Sequence, residues 1–116
     1  MENSEKRAAL QQRIESVELR KESLYRYYDE AEDSMRRSLA RSEEALNNKY
    51  LRPDQLQRFY DLHEEGRKYA RALSEEREER QYELKKEMDR YQEELQVLEE
   101  EEGRKEKDQH EEFRLY

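Results

Sequence analysis

Leu10, Ile14, Val17, Leu24, Tyr28, Ala31 and Met35 follow one another in alternating steps of four and three residues, and only Lys21 interrupts the series. That spacing keeps the side chains on one face of an α-helix, whereas a strand would need alternation with a period of two. The stripe is narrow, so a chain built this way buries a line rather than a volume, as coiled coils do. Composition closes off the alternatives. Hydrophobic residues make up only 32% and charged residues 48%, whereas an ordinary globular domain is about 45–50% apolar. Disordered chains of comparable polarity are rich in Gly and Pro, but this one has 2 Gly and 1 Pro in 116 residues. Glu, Lys, Arg, Leu, Gln and Ala dominate instead, and all are strong helix formers. The expected fold is all-α and forms a single domain.

The pattern divides once. Ser38, Ser42 and Ala45 continue the first stripe weakly, while Leu39 and Leu46 sit one residue later, so the stripe drifts. Asn47-Asn48-Lys49-Tyr50-Leu51-Arg52-Pro53-Asp54 then punctuates the chain. Asn tolerates the left-handed conformation that ends helices. Pro disfavours helical geometry at the residue before it and fits the first turn of a new helix. A start slightly later would let Asp54 and Gln57 form a capping pair. At the other end, Asn3 or Ser4 is the expected cap of the first helix.

The second helix carries two blocks, Phe59, Leu62, Gly66, Tyr69 and Leu73, then Leu84, Met88, Tyr91, Leu95 and Leu98. The eleven residues from Leu73 to Leu84 include an apolar-free run, which reads as a stutter that shifts the seam. Gly103, beyond the last block, is an expected fray or hinge point. The expectation is therefore two long antiparallel helices, about 4–47 and 54–112, joined by a turn at about 48–53. At about 1.5 Å per residue they would run roughly 60–65 Å and 80–90 Å, so the second overhangs the first and leaves a tail without an intramolecular partner. Acidity gathers on the second arm, with net -1 over residues 1–50 and -7 over 51–116.

Several functions are disfavoured. A chain without Cys has no disulfide framework or thiolate metal site. No run of about 18 apolar residues is present, so membrane insertion is not expected, and Met1-Glu2-Asn3-Ser4-Glu5 does not resemble a signal peptide. A formal net charge of -8 argues against nucleic acid and anionic lipid as partners. His63 and His110 are too far apart to share a metal and read as solvated surface histidines. Glu99–Glu102 lacks the ligand spacing of a calcium loop. No phosphate-binding loop or activated nucleophile is found, and a two-helix hairpin encloses no cavity. The chain is expected to be neither an enzyme nor a cofactor carrier.

Tyrosine stands out. Nine of the 116 residues are Tyr, with three clustered in Tyr25-Arg26-Tyr27-Tyr28. Tyr28 falls on the stripe, with Tyr25 and Tyr27 to either side. Such rings either widen a thin seam or present a partner-binding flank. The residues expected to hold a helical partner are Leu10, Ile14, Val17, Leu24, Tyr28, Met35, Leu84, Met88, Tyr91 and Leu95. Self-association through the same seam stays open.

Tyr25-x-x-x-Asp29 and Tyr28-x-x-x-Glu32 on a helical hairpin resemble the export signal of Gram-positive type VII secretion substrates. The whole-chain pattern is similar to the small helical targeting proteins of LXG toxins. Tyr69-Ala70-Arg71-Ala72-Leu73 through Leu84, Met88, Tyr91 and Leu95 matches their charged second helix. The turn lacks the Trp-x-Gly of the best-known secreted hairpins, and the second helix is longer than usual. The resemblance implies a cytoplasmic chaperone-like adaptor that binds a toxin's N-terminal helical domain, often with a second small helical protein, and is sometimes secreted with it. It makes Tyr25 and Asp29 the export-signal candidates. The hairpin also resembles the stalk proteins of flagellar and type III export ATPases, and a plain coiled-coil scaffold is the third reading.

Overall fold

The computed structural model describes the backbone of residues 2–114 and the side chains of residues 2–107. The chain is an all-α helical hairpin with no strand among the described residues: α1 spans Glu2–Leu46 and α2 spans Pro53–Arg114. No described helix is long and apolar enough to cross a membrane. His110 lies outside the described side chains.

Local chemistry accounts for the ends. α1 starts at Glu2, so Asn3 and Ser4 sit inside the first turn rather than capping it; the acids Glu2 and Glu5 complement the exposed N–H groups there. At the other end of α1, Asn47 N–H donates to the Glu43 carbonyl at 3.1 Å and Asn48 N–H to the Ala45 carbonyl at 3.2 Å. The second contact spans only three residues and tightens the last turn, which satisfies carbonyls without a left-handed residue. None of the described residues has positive φ, contrary to the expected left-handed Asn. Arg52 is the N-cap of α2: its carbonyl accepts from Leu56 N–H at 2.8 Å. Its own N–H donates to the Gln55 side chain at 3.2 Å. Pro53 therefore takes the first helical position, and the capping glutamine is Gln55. The Asp54–Gln57 pair does not form; Gln57 donates to Asp61 at 3.0 Å instead.

By backbone contact the chain divides into two units. One pairs Met1–Lys21 with Tyr82–Tyr116, and the other comprises Glu22–Gln81. In the first, Leu10, Val17, Tyr91 and Leu98 are buried, with Ile14, Leu84, Met88 and Leu95 packed against them. Val17, at 1% exposed, is the deepest. Antiparallel register is visible in two ion pairs: Arg7 meets Glu102, and Arg20 meets Glu87 with contacts of 2.7 and 3.2 Å. Helix α2 thus has intramolecular partners past Leu98, as far as Glu102, and Gly103 sits within an unbroken helix rather than at a fray point.

In the second unit Tyr28, His63 and Leu73 are buried. Half-buried Leu24, Ala31, Met35, Leu39, Ser42, Phe59, Gly66 and Ala70 extend this seam. Here the expected stripe is corrected. Leu62 and Tyr69 face outward at 54% and 61% exposure, and the inward ladder is Phe59, His63, Gly66, Ala70, Leu73. Those positions step by four, three, four and three, so the seam takes a histidine and small residues in preference to two larger apolar ones. His63 is therefore not a surface histidine. With the Ser42 hydroxyl proton on the Leu39 carbonyl at 2.8 Å, Ser42 Oγ accepts from His63 Nδ1–H at 2.6 Å.

Gly66 marks a close approach: a Cβ there would stand 3.1 Å from Leu39 Cδ2. The neighbour is the far end of a half-buried leucine, which has room to turn aside. Gly66→Ala is therefore expected to raise stability by about 0.5 kcal/mol, the helix-propensity gain of about 0.8–1 kcal/mol reduced by the shift of Leu39. Gly66→Leu is expected to lower it, and urea denaturation of both variants checks the pair of signs.

Candidate functional site

The aromatic cluster of α1 lies against the apolar-free stretch of α2. Leu73 and Leu84 are eleven residues apart, and the half-buried Arg77 and Gln81 fill the seam between them. This ladder of four, four and three is a four-residue insertion, the structural form of the stutter. Arg77 Nη2 reaches Asp29 at 2.9 Å, and Nη1 donates to Glu32 Oε2 at 2.9 Å. The guanidinium also lies over the Tyr25 ring, 5.5 Å from its centroid. Its side chain is 18% exposed, and burial works against its charge. The hydrogen bonds it donates to Asp29 and Glu32, with the attraction of their charges, outweigh that cost and hold its pKa above the ordinary value.

Beside this clasp, Tyr28 is 2% exposed. Burial pushes its phenol pKa up, and its hydrogen bond with the Glu76 carboxylate adds to the effect. Tyr27 meets Tyr28 edge-on, with centroids 5.1 Å apart and planes at 87°, a favoured aromatic geometry. Tyr27 itself is 63% exposed. One and a half turns of α1 therefore present an inward ring, an outward ring, and a third ring tied to a carboxylate through Arg77.

In the other unit a second polar network rims the seam. The Tyr91 ring lies beneath Arg13 and Arg90, at 5.7 and 4.9 Å. Its hydroxyl donates to Glu87 at 3.3 Å, and Glu87 in turn accepts from Arg20. The Arg20 hydrogen bond is the main cause holding the Glu87 carboxyl below its ordinary 4.5, with Tyr91 contributing in the same direction.

Of the residues expected to hold a partner, Leu10, Val17, Tyr28 and Tyr91 are buried by the hairpin itself. Ile14, Leu24, Met35, Leu84, Met88 and Leu95 are half-buried and keep one edge open. Tyr25 and Asp29 are brought together by Arg77. Sequence reading missed Arg77 and His63, because each is a polar residue in a ladder traced by apolar ones, and it missed Glu76, an exposed acid that bonds the Tyr28 hydroxyl. Counting three or four residues onward from Phe59 and Leu73 irrespective of polarity would have found His63 and Arg77. Among the described residues no group of three or more His, Cys, Asp or Glu is placed to hold a metal. Among the described residues, open grooves of about 280 Å³ and about 260 Å³ flank the seam. No protein-family model, curated protein or solved structure matches the chain.

Two outcomes are expected of these networks. Arg77→Ala lowers stability by about 1–2 kcal/mol, since Asp29 and Glu32 lose a shared cation in a partly solvated site. Arg77→Leu combined with Asp29→Ala and Glu32→Ala recovers most of that loss, because an apolar side chain continues the seam and no acid is left unpaired. Urea melts of the two variants decide. For Glu87 the sign follows from its lowered pKa. Its stabilisation is present above the unfolded value and is lost as pH falls below about 4.5. Glu87→Gln is therefore less stable than the wild type at neutral pH, and the gap closes on acidification, measured by thermal melting from pH 7 to pH 3.

Proposed function

We propose that the protein is a non-enzymatic adaptor that packs lengthwise against the helical N-terminal domain of a secreted toxin and delivers it to a type VII secretion apparatus. In this reading the adaptor meets its cargo in the cytoplasm and travels with it, and a second small helical protein joins the same bundle. The observation that carries the reading is the Arg77-held pair. Tyr25 is 37% exposed and Asp29 65% exposed, and a shared guanidinium sets both in place on one turn of α1. A ring and a carboxylate fixed at the surface lose little freedom on recognition, which favours their use as a docking signal. The open edges of Ile14, Leu24, Met35, Leu84, Met88 and Leu95 supply the apolar contact a helical partner needs.

An export assay paired with a pull-down tests this. Replacing Tyr25 and Asp29 together by Ala is expected to leave the toxin complex intact and reduce toxin export to background. Val17→Ala with Leu24→Ala is expected to lower export and complex recovery together, since truncating buried Val17 loosens the hairpin and truncating half-buried Leu24 removes part of the partner contact. Normal export with Tyr25 and Asp29 both replaced would overturn the signal. Co-purification with an export ATPase in place of a toxin would overturn the adaptor reading.

A further inference from the structure

The groove of about 280 Å³ lies wholly within the unit that pairs Met1–Lys21 with Tyr82–Tyr116. Its floor is Ala9, Leu10, Val97 and Leu98, and Val97 is 53% exposed, an apolar side chain left in water between charged rims. The rims differ in sign. Lys6 and Arg13 line the α1 side, and Glu94 and Glu101 the α2 side. Among the described residues none of these four charges is in an ion pair of its own chain. Both rims repeat after seven residues, and the Arg7–Glu102 pair sets the level of the two helices. Lys6 therefore stands level with Glu101, and Arg13 with Glu94.

We propose that this groove is a self-association surface whose occupant is a second copy of the same groove, forming an antiparallel four-helix bundle. Two face-to-face arrangements have two-fold symmetry, and the charges choose between them. A two-fold axis across the helices would lay one α1 rim on the other and one α2 rim on the other, setting base on base and acid on acid. An axis along the helices lays α1 of one copy on α2 of its mate without a shift in level. Lys6 then meets Glu101 of the other copy and Arg13 meets Glu94, four opposed pairs in all, over a floor that buries Val97 twice. An isologous contact of this kind is closed, so assembly stops at the dimer. Charge complementarity selects the partner and register, and burial of the apolar floor supplies the attraction.

Sedimentation velocity on the full chain, up to about 1 mM, a concentration that detects even a millimolar Kd, tests the proposal. The wild type is expected to double its mass from 14.5 kDa. Lys6→Glu with Arg13→Glu, and separately Glu94→Lys with Glu101→Lys, are each expected to sediment as single chains. Circular dichroism checks that the hairpin is intact, and all four positions are at the surface. An equimolar mixture of the two variants is expected to restore a dimer, because every like-charge contact becomes an opposed one. The second variant is also less negative than the wild type, so general repulsion would favour its dimer rather than dissolve it. Val97→Asp, which spares all four rim charges, is expected to abolish the dimer too. A wild type that stays single at the highest concentration, variants that keep their dimer, or a mixture that stays single would each overturn the proposal.

Discussion

Matching two one-residue-wide stripes is the constraint on which the hairpin depends. With so few apolar side chains, neither helix has a second face to bury, and each stripe must find the other in register along its length. Val17 and Tyr28, the most deeply buried side chains, sit in different units of the hairpin. Neither unit is held by a broad core; in each, a few inward residues are flanked by charges. Most helical stability in proteins comes from packing of this kind rather than from propensity, so a displaced stripe would leave both helices without support.

Polar residues hold the register where apolar ones are missing. The four-residue insertion between Leu73 and Leu84 puts Arg77 into the seam, where an unpaired cation would be costly. Asp29 and Glu32 remove that cost and tie Arg77 to one turn of α1. His63 plays a comparable part opposite Ser42. An apolar seam tolerates a slip of one heptad, because its steps repeat. A cation that must meet two particular acids does not, so these contacts choose among registers that hydrophobic pairing alone would leave close in energy.

The same charges shape what the surface offers. Tyr25 and Asp29 are a fixed pair because they share Arg77, which links the register of the hairpin to the surface proposed for recognition. Near the N-terminus of α1, the groove over Val97 combines an apolar floor with rims of opposite sign. Both features lie on the flanks of the seam, where a hairpin this thin cannot cover its own side chains.

The helical class, the break at Pro53 and most of the α1 ladder were legible in the residues themselves, because a 3.6-residue period and a single proline act locally. The first-turn place of Pro53 was legible for the same reason; its capping partner was not, since Gln55 and Gln57 are equally plausible until the helix start is known. Leu62 and Tyr69 looked like seam residues by their chemistry, and they are not. Which residue of a neighbouring pair turns inward depends on the rotation of α2 against Leu39 and Ser42, a property of two helices together. Arg77 and His63 were invisible for a related reason: a polar side chain enters a seam only when its partners are supplied from the other helix. Sequence alone thus determined that two helices form and roughly where they end. Tertiary pairing decided which face of α2 is buried, which charges are shared, and that Tyr25 and Asp29 stand together, because each of these requires atoms brought side by side across the hairpin.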